Sequence, residues 1–305
     1  MSAAVPGHGG LPPALSGQLV WIEGKAGRIA LYVDGPAAGA GPAAPLLLVH
    51  SMNATASAAE VRPVYEHART RRPVYAIDLP GFGQAERSDR PYTIRLMTDA
   101  LHQACEWIAN RHGGVAVDAL AVSLGCEFLA RAAVEQPARW GRLALVSPTA
   151  LDGRRGERRG PREAAVGPPW LLRALVGRRW SRGLFRNLTR PKVVRYFLRG
   201  TWGSKQIDEA MWHYGVLSAQ QPGAEYAPLH FVSAQLFAAD ALTLYEQLAQ
   251  PVWVSHGVRG EFADFRRAAR LAERPHWRVE ALPTGALPYF EMPSEFNARF
   301  DAFLA

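Results

Sequence analysis

Residues 116–127 read Ala116-Val117-Asp118-Ala119-Leu120-Ala121-Val122-Ser123-Leu124-Gly125-Cys126-Glu127. A short apolar run leads into Ser123, and a helical stretch leaves it. The reading is a buried strand that turns sharply into a helix with the serine at the corner. Small residues stand two before the serine (Ala121) and two after it (Gly125). Such a corner forces an unfavourable backbone angle on the serine and presses the helix start against the strand, and small neighbours relieve the crowding. The helix start then offers N–H groups and a partial positive charge to an anion formed beside the serine.

Outward from this corner, strand and helix signals alternate. Residues 18–23 and 28–34 read as two strands joined by the turn Gly24-Lys25-Ala26-Gly27. The runs 45–50, 74–78, 116–122 and 142–147 are largely apolar, as strands covered on both faces are. Helices are expected over 58–69, 94–111 and 124–136. The alternation predicts an α/β class with a doubly wound, mostly parallel sheet. After Pro148 the strand signals fade, and residues 149–240 read as a helical lid with segments such as 170–176. A further helical segment over 240–248 closes this stretch, and the α/β pattern resumes with strands over 251–255 and 277–281 and helices over 264–273 and 294–304. The expected organisation is a loose leader over 1–17, a core of 18–148 and 241–305, and a lid of 149–240.

The 305 residues are 48% apolar and 20% charged, a globular composition. No apolar run reaches the roughly 18–20 residues of a membrane span, and the Gly/Pro/Ala-rich start has no signal-peptide pattern. Cys105 and Cys126 suggest neither a disulfide framework nor a metal site, so buried reduced thiols in a cytoplasmic protein are expected. Neither a cofactor nor a metal is expected. The formal charge is +8, much of it between Arg154 and Arg199. That patch is either a solvated surface or an attractor of anions such as an acidic carrier, a CoA ester or lipid headgroups. No nucleic-acid module is legible.

His50-Ser51-Met52-Asn53 follows the third strand and Asp78-Leu79-Pro80-Gly81-Phe82-Gly83 the fourth. Together with the Ser123 corner and 250–257 (QPVWVSHG), these resemble the α/β-hydrolase superfamily over about 18–148 and 240–305. The resemblance implies a hydrolase fold with Ser123 as nucleophile. It places the oxyanion hole at the Leu124 N–H and the loop of Ser51, Met52 and Asn53. Ser51 stands where the family usually has glycine. Near the C-terminus the family's Gly-His-x-Pro-x-x-Glu stretch reads Gly285-Ala286-Leu287-Pro288-Tyr289-Phe290-Glu291, so Ala286 holds the histidine position. The expected acid position holds Gly260.

A serine hydroxyl is a poor nucleophile unless a base takes its proton. Losing one triad member can cost on the order of 10⁴ to 10⁶ in turnover. Candidate substitutes are His50, Glu261 and Asp264. Asp152, His256, His213, His230 and Tyr289 are weaker ones. Aromatic residues between 202 and 231 would make the substrate apolar or acyl-like if they line the cleft. Two functions stay open. One is an enzyme acting on an ester, thioester or related carbonyl compound. The other is a non-catalytic ligand-binding or scaffold protein. Restoring both positions, with Ala286→His and Gly260→Asp, is expected to confer esterase activity if the alignment is right.

Overall fold

Continuous burial along the inner strands sets the architecture. A computed structural model describes residues 10–36, 43–153 and 156–305. The strands are β1 (Gln18–Ile22), β2 (Ile29–Asp34), β3 (Leu46–Val49), β4 (Val74–Asp78), β5 (Val117–Val122), β6 (Trp140–Val146), β7 (Val252–Gly257) and β8 (Trp277–Leu282). They form one sheet in the order β1-β2-β4-β3-β5-β6-β7-β8. The β1–β2 and β2–β4 pairs are antiparallel, and every pair from β4–β3 to β7–β8 is parallel. Gly27 N–H closes the β1–β2 turn on Gly24 O at 2.9 Å.

Both faces of the sheet are covered. On β5, Val117, Ala119 and Ala121 face one apolar cluster, while Leu120 and Val122 face the other, as the two-residue period of a strand requires. The first cluster is completed by α2 (Ile94–Arg111) and α3 (Gly125–Glu135), the second by α1 (Arg62–Ala68) and the C-terminal helix. Thr93 caps α2, its side chain accepting the Leu96 N–H at 3.1 Å.

Between β6 and β7 the chain is mainly helical: α4 (Pro169–Leu175), α5 (Arg179–Leu188), α6 (Pro191–Trp202), α7 (Glu209–Ala219), α8 (Tyr226–Val232) and α9 (Ala241–Gln247). The remaining helices are α10 (Ala268–Ala272), α11 (Pro288–Glu291) and α12 (Pro293–Leu304). The helix expected over 264–273 is thus confined to α10. Asp264 accepts the Arg266 N–H and guanidinium, a local bond that competes with helix formation.

The leader expected over 1–17 lies outside the described residues as far as residue 9. From residue 11 it is packed rather than loose. Leu11 and Leu15 are buried, Gln84 Nε2 donates to Leu11 O at 2.7 Å, and the Tyr32 hydroxyl accepts the Ala14 N–H at 3.0 Å. No helix among the described residues is long and apolar enough to cross a membrane.

Candidate active site

The parallel strands all end at one edge, and the loops that leave them there enclose a cavity of about 380 Å³. Ligands of open α/β sheets bind at this edge. Ser51, Met52 and Asn53 reach the wall from the loop after β3, Ser123 and Leu124 from the corner after β5, and Ala286 from the loop after β8. Helices α5–α8 contribute most of the apolar wall, including Leu198, Met211 and Phe231.

Ser123 has φ +53°. Its N–H donates to Val146 O at 2.8 Å, fixing the corner against β6. The small residue two positions on has a direct cause. A Cβ at Gly125 would stand 2.5 Å from the His50 carbonyl oxygen, so α3 starts in contact with the end of β3. The N–H groups of Leu124 and Met52 donate to no protein acceptor among the described residues. The Ser51 N–H, in contrast, is taken by Glu60 Oε2 at 2.8 Å.

Glu60 was not legible as a site residue. Its carboxyl lies buried on the cavity wall and also accepts Asn53 Nδ2 at 2.6 Å. Burial raises its pKa, partly offset by the bonds from Ser51 and Asn53. The one local signal is Ser57-x-x-Glu60, the pattern of a helix-start capping box. Glu60 instead turns to the Ser51–Asn53 loop, and Ser57 makes no side-chain cap. Asn53 Oδ1 accepts the Thr55 N–H at 2.7 Å, so the amide is engaged at both ends in holding the turn. Ser147 was missed as well. It directly follows β6 with φ +47°, lines the cavity, and donates its hydroxyl to Ala286 O at 2.7 Å.

No histidine among the described residues lines the cavity. His50 is fully buried, with Nδ1 on Ser51 O at 2.6 Å and Nε2 accepting the Leu79 N–H at 3.0 Å. Burial pushes its pKa down to about 4. Both ring nitrogens are occupied, so it is a structural histidine and not a substitute base. His256 stacks on Phe265 with centroids 4.3 Å apart, His230 is buried with Nδ1 on Tyr226 O at 2.9 Å, and His213 is exposed. Asp264 pairs with Arg266, which holds its carboxyl well below the usual range, and it lies off the cavity wall. Asp152 and Tyr289 also lie off it. Glu261 is exposed and lines the cavity.

The last turn of α6 is seated against both Gly260 and Ala286 and their neighbours. Thr201 O accepts the Ala286 N–H at 2.9 Å, and Gly200 O accepts the Glu261 N–H at 3.1 Å. Gly260 has φ +85°, and a Cβ there would stand 2.4 Å from Gly200 O. A Cβ on Gly285 would stand 2.4 Å from Trp202 O. These glycines let three backbone segments touch. The Gly260→Asp substitution of the restoration test is therefore not the simple replacement the sequence suggests, because an aspartate there must displace α6. Of the aromatic residues singled out between 202 and 231, only Phe231 lines the cavity. Trp202 and Tyr214 are buried, and Trp212 stacks under Arg195 at 4.2 Å.

The model of the alpha/beta hydrolase fold family matches residues 44–202, more than half of the chain. The chain belongs to the α/β-hydrolase family. Solved α/β-hydrolases repeat its whole architecture. A serine hydrolase involved in carbazole degradation is 17% identical, with a TM-score of 0.72 over 94% of this chain and 99% of the other. The 2-hydroxy-6-oxo-6-phenylhexa-2,4-dienoate hydrolase of Rhodococcus sp. strain RHA1 is 19% identical, with a TM-score of 0.68 over 94% and 99%. A carboxylesterase from Bacillus subtilis is 15% identical, with a TM-score of 0.66 over 95% and 92%. At these identities the likeness is one of fold. A search of curated proteins finds no sequence match.

Proposed function

We propose that this α/β-hydrolase transfers the acyl group of an ester, thioester or related carbonyl compound through Ser123, with the usual triad histidine and acid replaced by Ala286 and Gly260. The observation that carries the reading is the Ser123 corner. A left-handed serine faces a largely apolar cavity, with the Leu124 and Met52 N–H groups free of protein acceptors. Ser123 Oγ attacks the carbonyl carbon, and the two N–H groups hold the oxyanion. The oxyanion then collapses and the bond to the leaving group breaks. The hydroxyl proton passes to solvent water, and the leaving group departs as its anion. Glu60 acts as a positioning residue. By holding the Ser51 N–H and the Asn53 amide it fixes the loop that presents Met52. Residues 149–240 act as the lid, and the apolar wall suits an acyl chain.

The missing imidazole shapes the chemistry. A thiolate or nitrophenolate needs no protonation to leave, so activated acyl donors suit this site better than amides. Water attack on the acyl-serine also lacks a base, so the acyl-enzyme accumulates. The test is p-nitrophenyl butyrate hydrolysis followed by stopped flow. The reading expects a burst of one equivalent of nitrophenolate and then slow turnover, both absent in Ser123→Ala. Equal release by the two proteins would overturn it. The absence of a histidine from the cavity among the described residues and the seating of α6 against Gly260 and Ala286 favour a second reading, a ligand-binding protein without turnover. That reading expects saturable binding of apolar acyl compounds with no burst.

A further inference from the structure

Residues 164–207 contain ten basic and no acidic side chains, whereas the whole chain is net +8, so the remainder is net −2. The basic charge is thus concentrated on α4–α6 and not spread over the surface. Part of it is neutralised, Arg182 by Glu225 and Arg195 by Glu209, but half of it is not. Arg173, Arg186, Arg190, Lys192 and Lys205 are exposed and form no ion pair among the described residues.

Large apolar rings stand among these cations. Trp170, Trp180 and Tyr196 are 63%, 56% and 66% exposed. On α6, Val194, Leu198 and Trp202 are buried, while Lys192, Tyr196 and Arg199 lie on the opposite face at i, i+4 and i+7. On α5, Ser181 and Phe185 are buried, while Trp180, Arg182 and Arg186 are exposed. Phe197 and Phe262 are both exposed and on the wall of the Ser123 cavity, so the cavity opens through an apolar rim beside the same helix.

A purely solvated basic face has no use for exposed indoles. Arginine and lysine interleaved with Trp and Tyr are the composition of a helix lying in the headgroup layer of an anionic bilayer. There the rings sit at the interface and the cations meet phosphates. We propose that the α4–α6 face docks on an anionic lipid surface and turns the rim at Phe197 and Phe262 toward the acyl chains. This docking does not depend on the role of Ser123, and Ser123→Ala is expected to bind vesicles as the native chain does.

The test is co-sedimentation of the full chain with vesicles of phosphatidylcholine alone and of phosphatidylcholine with 30% phosphatidylglycerol. The expected result is strong preference for the anionic vesicles, falling steeply with added salt. The variant R186E/R190E/K192E should lower that affinity by about a hundredfold or more. The variant W170S/W180S/Y196S should weaken it while leaving the salt dependence in place. All six residues are exposed, and an unchanged thermal melt checks folding. Equal binding to both vesicles, or anionic binding untouched by the charge reversals, overturns the proposal. So does binding to polyglutamate without binding to vesicles, which would point to an acidic protein instead.

Discussion

Replacing Gly260 by alanine probes how α6 is seated against the loop after β7. Two costs add. Gly260 has φ +85°, and placing a Cβ in the left-handed region costs roughly 1–2 kcal/mol. The new Cβ would also stand 2.4 Å from Gly200 O and 3.0 Å from Gly203 N. Gly200 O accepts the Glu261 N–H, so the carbonyl cannot retreat without losing that bond and shifting the last turn of α6. Overpacking of this kind costs about 1–3 kcal/mol. The predicted loss is therefore about 2–5 kcal/mol, read from urea unfolding at pH 7. Gly183→Ala is the control. It lies inside α5 with nothing within 4 Å of its Cβ, and alanine there should stabilise by up to about 1 kcal/mol. Hydrogen exchange in Gly260→Ala should rise in α6 and in the loop around Ala286 before it rises in the sheet. A Gly260→Ala protein within about 0.5 kcal/mol of the native chain would refute the seating of α6 described above.

The remaining predictions concern the loop after β3. Between pH 6.5 and about 4 the unfolded chain takes up a proton at His50 that the folded chain, with its imidazole held neutral at about 4, does not. Stability from this group is therefore intact above pH 6.5 and falls on acidification, by about 3 kcal/mol in full. His50→Gln cannot protonate, so the stability gap between native chain and variant should narrow by that amount from pH 7 to pH 4. A constant gap in paired denaturation curves would contradict the buried neutral state. Glu60→Gln keeps one acceptor oxygen but sets its NH2 against either the Ser51 N–H or the Asn53 Nδ2 group, donor to donor, and should loosen the Met52 loop. The expected outcome is a nitrophenyl butyrate burst slowed about tenfold to a hundredfold with its amplitude kept at one equivalent. An unchanged burst rate would remove Glu60 from the site.

The elements that depend on local pattern were readable from the sequence. The buried runs on either side of Ser123 and the amphipathic 94–111 stretch carry their own periodicity, and the small residues around the serine mark its corner. What was hidden depends on distant contacts. Glu60 looks like an ordinary first-turn helix residue until the Ser51–Asn53 loop folds over it. The close approach of Gly260 to Gly200, and of Gly285 to Trp202, joins segments 60 and 83 positions apart. Nothing local to Gly260 distinguishes a lost acid from a packing glycine. The aromatic run that includes Trp202 and Tyr214 reads more readily as lid core than as a substrate box, and both are buried. The basic segment was visible as composition. Its concentration on exposed helix faces with Trp180 and Tyr196 needed the fold.

The proposed chemistry rests on Ser123 being a reactive nucleophile without an imidazole partner. Intact-protein mass spectrometry after incubation with a fluorophosphonate at pH 8, followed by peptide mapping, tests it most directly. The expected result is a single adduct, on the peptide that carries Ser123, formed slowly and abolished by Ser123→Ala. A folded protein that stays unmodified, or an adduct on another residue, would contradict it.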